Sequence, residues 1–228
     1  MRNLLKYFFL LIAGVLGSGI SNAQTTVDST YHNYLYDSRT VYFSQLPVVK
    51  KAVVFFGDSI TQWGDWAELL GFTKVINRGI AGDNTFGLKA RVNEILRHKP
   101  RKLFILIGTN DINLKIPNEY IVSNYAAIIN TVKQQSPHTR IYVQSVLPIN
   151  DRLIGKKYYS GTNDQIQQLN YKLLQMADEM KVTYIDVYSH LLDENKEGLD
   201  AKYTYDGLHI SGLGYRAWIA FLKQQNHL

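Results

Sequence analysis

The chain of 228 residues contains no cysteine. No disulfide can staple it, no thiolate can act as nucleophile or metal ligand, and no lipid can be joined to a cysteine at a cleavage point. Nor does it offer the roughly 20 apolar residues in a row that a membrane-spanning helix needs. Its apolar stretch at 7–16 is shorter, follows Arg2 and Lys6, and precedes the small residues of 17–23. That order predicts a signal peptide at 1–23, cleaved after Ala23, in preference to an uncleaved anchor. The mature chain, 24–228, is then exported to the periplasm or beyond it as a soluble protein with no stable membrane insertion.

A basic stripe is lacking too. The formal charge of +6 falls to +4 once Arg2 and Lys6 leave with the signal. The remaining cations are scattered, paired only briefly at Lys50-Lys51, Arg101-Lys102 and Lys156-Lys157. Nothing there tracks a phosphate backbone, so nucleic acid is not an expected partner. The six histidines, among them His32, His98 and His138, are dispersed and never take HExxH spacing. GxxxxGK[ST] and GxGxxG are absent, and Thr61 stands where a Gly-x-Ser-x-Gly elbow would place its second glycine. Neither a metal nor an organic cofactor is expected.

What is present is an ordinary globular composition, 46% apolar and 19% charged, in a length suited to one domain. A polar, tyrosine-rich arm, 24–47, precedes alternating apolar runs and helical patterns. Strands are predicted at 52–56, 74–77, 103–107, 141–145 and 182–186. Continuous apolar runs such as Leu103-Phe104-Ile105-Leu106-Ile107 mark strands buried on both faces, as in a parallel sheet. Three stripes predict helices between them: Leu88, Val92, Ile95 and Leu96; Ile121, Tyr125, Ile128, Ile129 and Val132; and Ile166, Leu169, Leu173, Met176 and Met180. Asn118 is placed to cap the second, Thr162 with Gln165 to form a capping box before the third, and Ser211 to cap a last helix. The fold class is therefore α/β, a three-layer sandwich around a five-stranded parallel sheet, in which ligands bind at the carboxyl ends of the strands.

Three of those ends carry glycine and polar residues: Gly57-Asp58-Ser59, Asn77 to Asp83, and Gly108-Thr109-Asn110-Asp111. Each alone could be turn chemistry. A fourth segment, Asp206-Gly207-Leu208-His209, sets a carboxylate three residues from an imidazole, close enough for one turn to join them and leave Nε2 free to take a proton.

"GDSIT", "GIAGDN", "GTND" and "DGLH" resemble, in order and approximate spacing, the sequence blocks of the GDSL, or SGNH, hydrolase family. The likeness runs over nearly the whole mature chain and is nearest to bacterial esterases similar to platelet-activating-factor acetylhydrolase. It implies a flavodoxin-like sandwich, Ser59 as nucleophile, Asp206 and His209 completing a triad, and an oxyanion hole from Ser59, Gly82 and Asn110. Asp58 and Asp111 are expected to hold turns. The implied activity is hydrolysis of an ester, with a short acyl group on a carbohydrate as the leading substrate. Lysophospholipid or long acyl esters are the alternative, and a glycan-binding protein without turnover is the rival from another class. Trp63, Trp66, Tyr158, Tyr159, Tyr203 and Tyr205 could frame the mouth of the site, though most are read as packing.

Overall fold

The structure, a computed structural model, describes residues 27–155 and 157–228. The expected signal peptide at 1–23 lies outside them.

The chain enters through α1 (Tyr34–Gln45) and β1 (Val53–Gly57), followed by two short helices, α2 (Ser59–Gln62) and α3 (Trp66–Leu70). β2 (Val75–Gly79), α4 (Thr85–Ala90), α5 (Val92–Leu96), β3 (Lys102–Leu106) and α6 (Thr109–Asn113) come next. The second half runs α7 (Asn118–Gln135), β4 (Arg140–Gln144), α8 (Asn163–Glu179), β5 (Thr183–Ile185), α9 (Val187–His190) and α10 (Gly212–Gln224). All five strands are parallel in the order β2-β1-β3-β4-β5. This is the flavodoxin-like order, and its switch point falls between β1 and β3, where the chain leaves the centre of the sheet in opposite directions. The expected sandwich is the one observed, with strand limits displaced by no more than two residues.

Both faces of the sheet are apolar because successive side chains alternate across it. Val54, Phe56, Leu103, Ile105, Ile141 and Val143 face the side covered by α4, α5, α7 and α8. Val53, Phe55, Phe104, Leu106 and Tyr142 face α3, α9 and α10. On that second face an aromatic ladder crosses the strands. Trp66 stacks on Phe55 with ring centroids 3.9 Å apart, Phe55 on Phe104 at 4.9 Å, and Phe104 on Tyr142 at 4.6 Å. Such offset contacts add to area burial and rigidify the floor under the site.

Two helix expectations need correction. The stripe from Leu88 to Leu96 is broken at Arg91 (φ −102°, ψ 12°), which separates α4 from α5. The break lets the Arg91 guanidinium turn inward, donating to Asp83 Oδ2 (2.9 Å), Arg78 O (2.9 Å) and Gly57 O (3.0 Å). Asn118 does not cap α7; the extended backbone of Pro117 occupies the cap position with no side-chain hydrogen bond there. Thr162 and Gln165 do form a reciprocal box on α8, and Ser211 Oγ accepts from Gly214 N at the start of α10.

α1 lies against the loop after β2. Tyr36 and Phe43 pack with Ile80, Tyr36 donates to Gly87 O (2.9 Å), and Arg97 donates to Phe43 O and Leu46 O.

Candidate active site

β1 delivers Ser59 to the switch point. Gly57 ends the strand where a β-carbon would sit 2.1 Å from Leu106 O and 2.3 Å from Thr61 Oγ1, so no side chain fits between β1, β3 and the first turn of α2. Asp58, not Ser59, caps α2: its Oδ1 accepts from Ile60 N at 3.0 Å. Ser59 is thereby relieved of capping, and its hydroxyl is free to face elsewhere.

It faces His209. Ser59 Oγ lies 3.0 Å from His209 Nε2, across 150 residues of sequence, and both side chains are nearly buried. Asp206 fixes the imidazole from behind. Its Oδ2 is 2.7 Å from His209 Nδ1, and its Oδ1 accepts from Leu208 N (2.9 Å) and His209 N (2.8 Å). Burial works to raise the Asp206 carboxyl, but the hydrogen bonds from His209 and Leu208 outweigh it and hold the group below its ordinary range. The Asp206–Nδ1 bond puts the ring proton on Nδ1 and presents Nε2 to the serine as an acceptor.

The turn carrying this pair is itself held tightly. Thr204 Oγ1 donates to His209 O (2.7 Å) and accepts from Gly207 N (2.9 Å), while Gly207 O accepts from Asn150 N (2.8 Å). Tyr215, one turn into α10, donates to Ile60 O at 2.6 Å. That bond joins the histidine element directly to the serine element.

The other two strand-end blocks converge on the same edge. Gly82 is exposed and has φ +78°, a left-handed conformation that glycine adopts without strain. Asn110, at the start of α6, donates through Nδ2 to Asp83 O at 2.8 Å. The N–H groups of Ser59 and Gly82 donate to no acceptor among the described residues. Free backbone donors beside a hydroxyl are what a developing oxyanion requires.

Beneath them sits a layer of buried carboxylates. Asp83 pairs with Arg91; Asp111 accepts from Thr85 N (3.1 Å to each oxygen) and Thr85 Oγ1 (2.5 Å), and Asn124 donates in turn to Thr85 Oγ1. Burial pushes the Asp83 carboxyl up to about 6 against the pull of Arg91, and the Asp111 carboxyl up to about 6 against its bonds from Thr85. Asp58 rises to about 7, through burial first and then the nearby charges of Asp83 and Asp111; its Oδ2 has no hydrogen-bond partner among the described residues. Asp58 and Asp111 hold turns through these bonds and stand apart from the serine–imidazole contact.

The aromatic candidates divide sharply. Trp66 and Tyr159 belong to the core, and Tyr203 packs against it. Tyr205 accepts from Gly212 N through its hydroxyl oxygen (3.1 Å) and is otherwise exposed. Trp63 and Tyr158 stand beside the imidazole, with ring centroids 4.0 Å and 6.5 Å from it. The sequence reading did not single out Arg91 or Thr85. Arg91 carried a signal: it interrupts an apolar stripe at the position where Leu88 and Ile95 share a face, the mark of a cation drawn inward.

Comparison with known proteins gives the family. The sequence model of the GDSL-like Lipase/Acylhydrolase family matches residues 55–217. Platelet-activating factor acetylhydrolase IB subunit alpha1 of Homo sapiens is 28% identical over 194 residues, 82% of this chain and 77% of its own. The isoamyl acetate-hydrolyzing esterase 1 homolog of Bos taurus is 26% identical over 197 residues, covering 74% and 78%. Among solved structures, a Streptococcus pneumonia protein provisionally described as a platelet activating factor superposes with a TM-score of 0.75 at 32% identity, over 84% of this chain and 92% of its own.

Proposed function

The chain belongs to the GDSL-like lipase/acylhydrolase family and is an ester hydrolase, and on that premise we propose that Ser59, His209 and Asp206 are its catalytic triad. One observation carries the reading: the 3.0 Å approach of Ser59 Oγ to a His209 ring whose other nitrogen is held at 2.7 Å by Asp206.

In this reading His209 Nε2 takes the Ser59 proton as Oγ attacks the carbonyl carbon. The carbonyl π electrons move to oxygen, and the oxyanion is met by the N–H groups of Ser59 and Gly82 and by Asn110 Nδ2. When the tetrahedral intermediate collapses, the bond to the alcohol oxygen breaks and His209 returns the proton to it. Water repeats the sequence on the acyl-serine, with His209 as base, and releases the carboxylic acid and free serine. Asp206 keeps the imidazolium oriented and compensated throughout.

The acyl group we assign is short, acetyl in the first instance, and the alcohol a carbohydrate. The names of both relatives refer to acetyl esters, one a platelet-activating factor acetylhydrolase subunit and the other a homolog of an isoamyl acetate-hydrolyzing esterase. Export to the periplasm or beyond is part of the same proposal and is supported by the basic–apolar–small order of residues 1–23.

A fluorophosphonate should label the wild-type protein at Ser59, and Ser59→Ala should lose both the label and acetate release from p-nitrophenyl acetate. Labelling at another residue, or turnover surviving in Ser59→Ala, would overturn the triad. Rates that climb from acetyl to octanoyl esters would overturn the acyl assignment alone.

A further inference from the structure

Trp63 and Trp66 lie three residues apart and meet opposite fates. Trp66 is 2% exposed in the core, whereas Trp63 is 49% exposed with its indole 4.0 Å from the His209 ring and tilted from it by 31°. Tyr158 and Tyr159 repeat the contrast. Tyr159 is 4% exposed, and Tyr158 is 60% exposed, with its ring centroid 6.5 Å from the same imidazole. The Trp63 backbone is also held in place: it closes α2, its main-chain N–H donating to Ser59 O at 3.0 Å. A large aromatic left half in water yet packed against a reactive ring has surface reserved for something else.

The reaction says what that is. The alcohol oxygen must come within about 2.6–3.2 Å of His209 Nε2 to receive its proton. The atoms bonded to that oxygen then fall beside the imidazole, where Trp63 and Tyr158 stand. The carbonyl oxygen turns instead toward Gly82 and Asn110. We propose that Trp63 and Tyr158 are the specificity-determining walls of the alcohol subsite, and that they receive the C–H face of a pyranose ring. An indole face binds such a flat, weakly polar surface well, and its half-wet position leaves the sugar hydroxyls in solvent. An aromatic pair also suits a quaternary ammonium, so a choline ester is the competing substrate in the test.

This inference rests on the assignment of Ser59 and His209 above, and two readouts separate it from that assignment. The first is selectivity: kcat/KM for an acetylated methyl xylopyranoside, for methyl acetate and for acetylcholine, in wild type, Trp63→Ala, Trp63→Phe and Tyr158→Ala. The sugar-to-methyl ratio should fall at least tenfold in Trp63→Ala, less in Trp63→Phe, and severalfold in Tyr158→Ala, chiefly through KM. The second needs no turnover. The three tryptophans are Trp63, Trp66 and Trp218, and the latter two are buried, so acrylamide quenches mainly Trp63. In Ser59→Ala, the acetylated xyloside should halve the quenching constant or better, while acetylcholine leaves it unchanged. A ratio that moves in neither alanine variant, quenching unaffected by the sugar, or preference for acetylcholine would overturn the subsite. A protein that hydrolyses none of the three esters yet shows sugar protection of Trp63 would refute the triad and uphold the subsite.

Discussion

Replacing Arg91 by Met removes one charge from the layer under the site and leaves its partner behind. The Arg91 guanidinium is buried over the Phe56 ring, 4.6 Å from its centroid, and bonds Asp83 Oδ2, Arg78 O and Gly57 O at once. Methionine fills much of the volume but supplies no donor, so Asp83 keeps a fully buried carboxylate without its cation. Breaking one side of a buried pair typically costs about 3–5 kcal/mol, which for a domain of this size lowers the melting temperature by about 6–20 °C. The loss carries a pH signature. Burial holds the Asp83 carboxyl at about 6 even with Arg91 present, and without Arg91 it rises further. A carboxyl raised in the folded state favours folding in acid and loses that contribution as pH climbs through the folded value. The gap between wild type and Arg91→Met, read from urea unfolding, should therefore be largest at pH 8 and shrink toward pH 5. Asp83→Asn in the same chain should return part of the stability at pH 8. A loss under about 1 kcal/mol at pH 8, or a gap that does not change between pH 8 and pH 5, would refute the view that this pair carries a compensated buried charge.

Asn110→Ala should lower kcat by about 10²–10³, with a smaller effect on KM, as for the loss of one oxyanion donor; steady-state hydrolysis of methyl acetate measures it, and a change under threefold would remove Asn110 from the hole. Asp58 is raised to about 7 from an ordinary 3.8, so its contribution to stability is present below about pH 4 and is lost by about pH 7. Asp58→Asn should accordingly gain on wild type as pH rises across that window, by an amount on the order of a few kcal/mol, and parallel urea midpoints at pH 4 and 7 would contradict it. Phe43→Ala should cost about 3–5 kcal/mol, since its ring is buried and lies under the guanidinium groups of Arg39 and Arg78. An unchanged unfolding midpoint would mean that α1 is not part of the cooperative unit.

Local chemistry was legible in the residues themselves. Val53 to Phe56 and Leu103 to Leu106 read as strands because a parallel sheet covered on both faces asks for apolar side chains at every position. Thr162 with Gln165, and Asp206 with His209, were legible because each pair closes within a single turn, where spacing alone fixes contact. The limits of prediction were of the same kind. The Leu88–Leu96 stripe looked continuous because periodicity does not register the pull of a buried Asp83 on Arg91, and Asn118 looked like a cap because the extended backbone of Pro117 is invisible to propensity.

By itself, then, the sequence determined the five strands, the helices α7, α8 and α10, the local carboxylate–imidazole pair, and the four blocks that carry family membership. Tertiary structure decided what spans distance: that Ser59 meets a histidine 150 residues away, that Tyr215 clamps the two elements together, and that Trp63 turns to the imidazole while Trp66 sinks into the aromatic ladder. The physical reason is the strand order. With β1 and β3 side by side at the switch point, loops remote in sequence open on one edge, and only packing around that edge chooses which of two neighbouring aromatics is spent on the core and which is left beside the reacting groups.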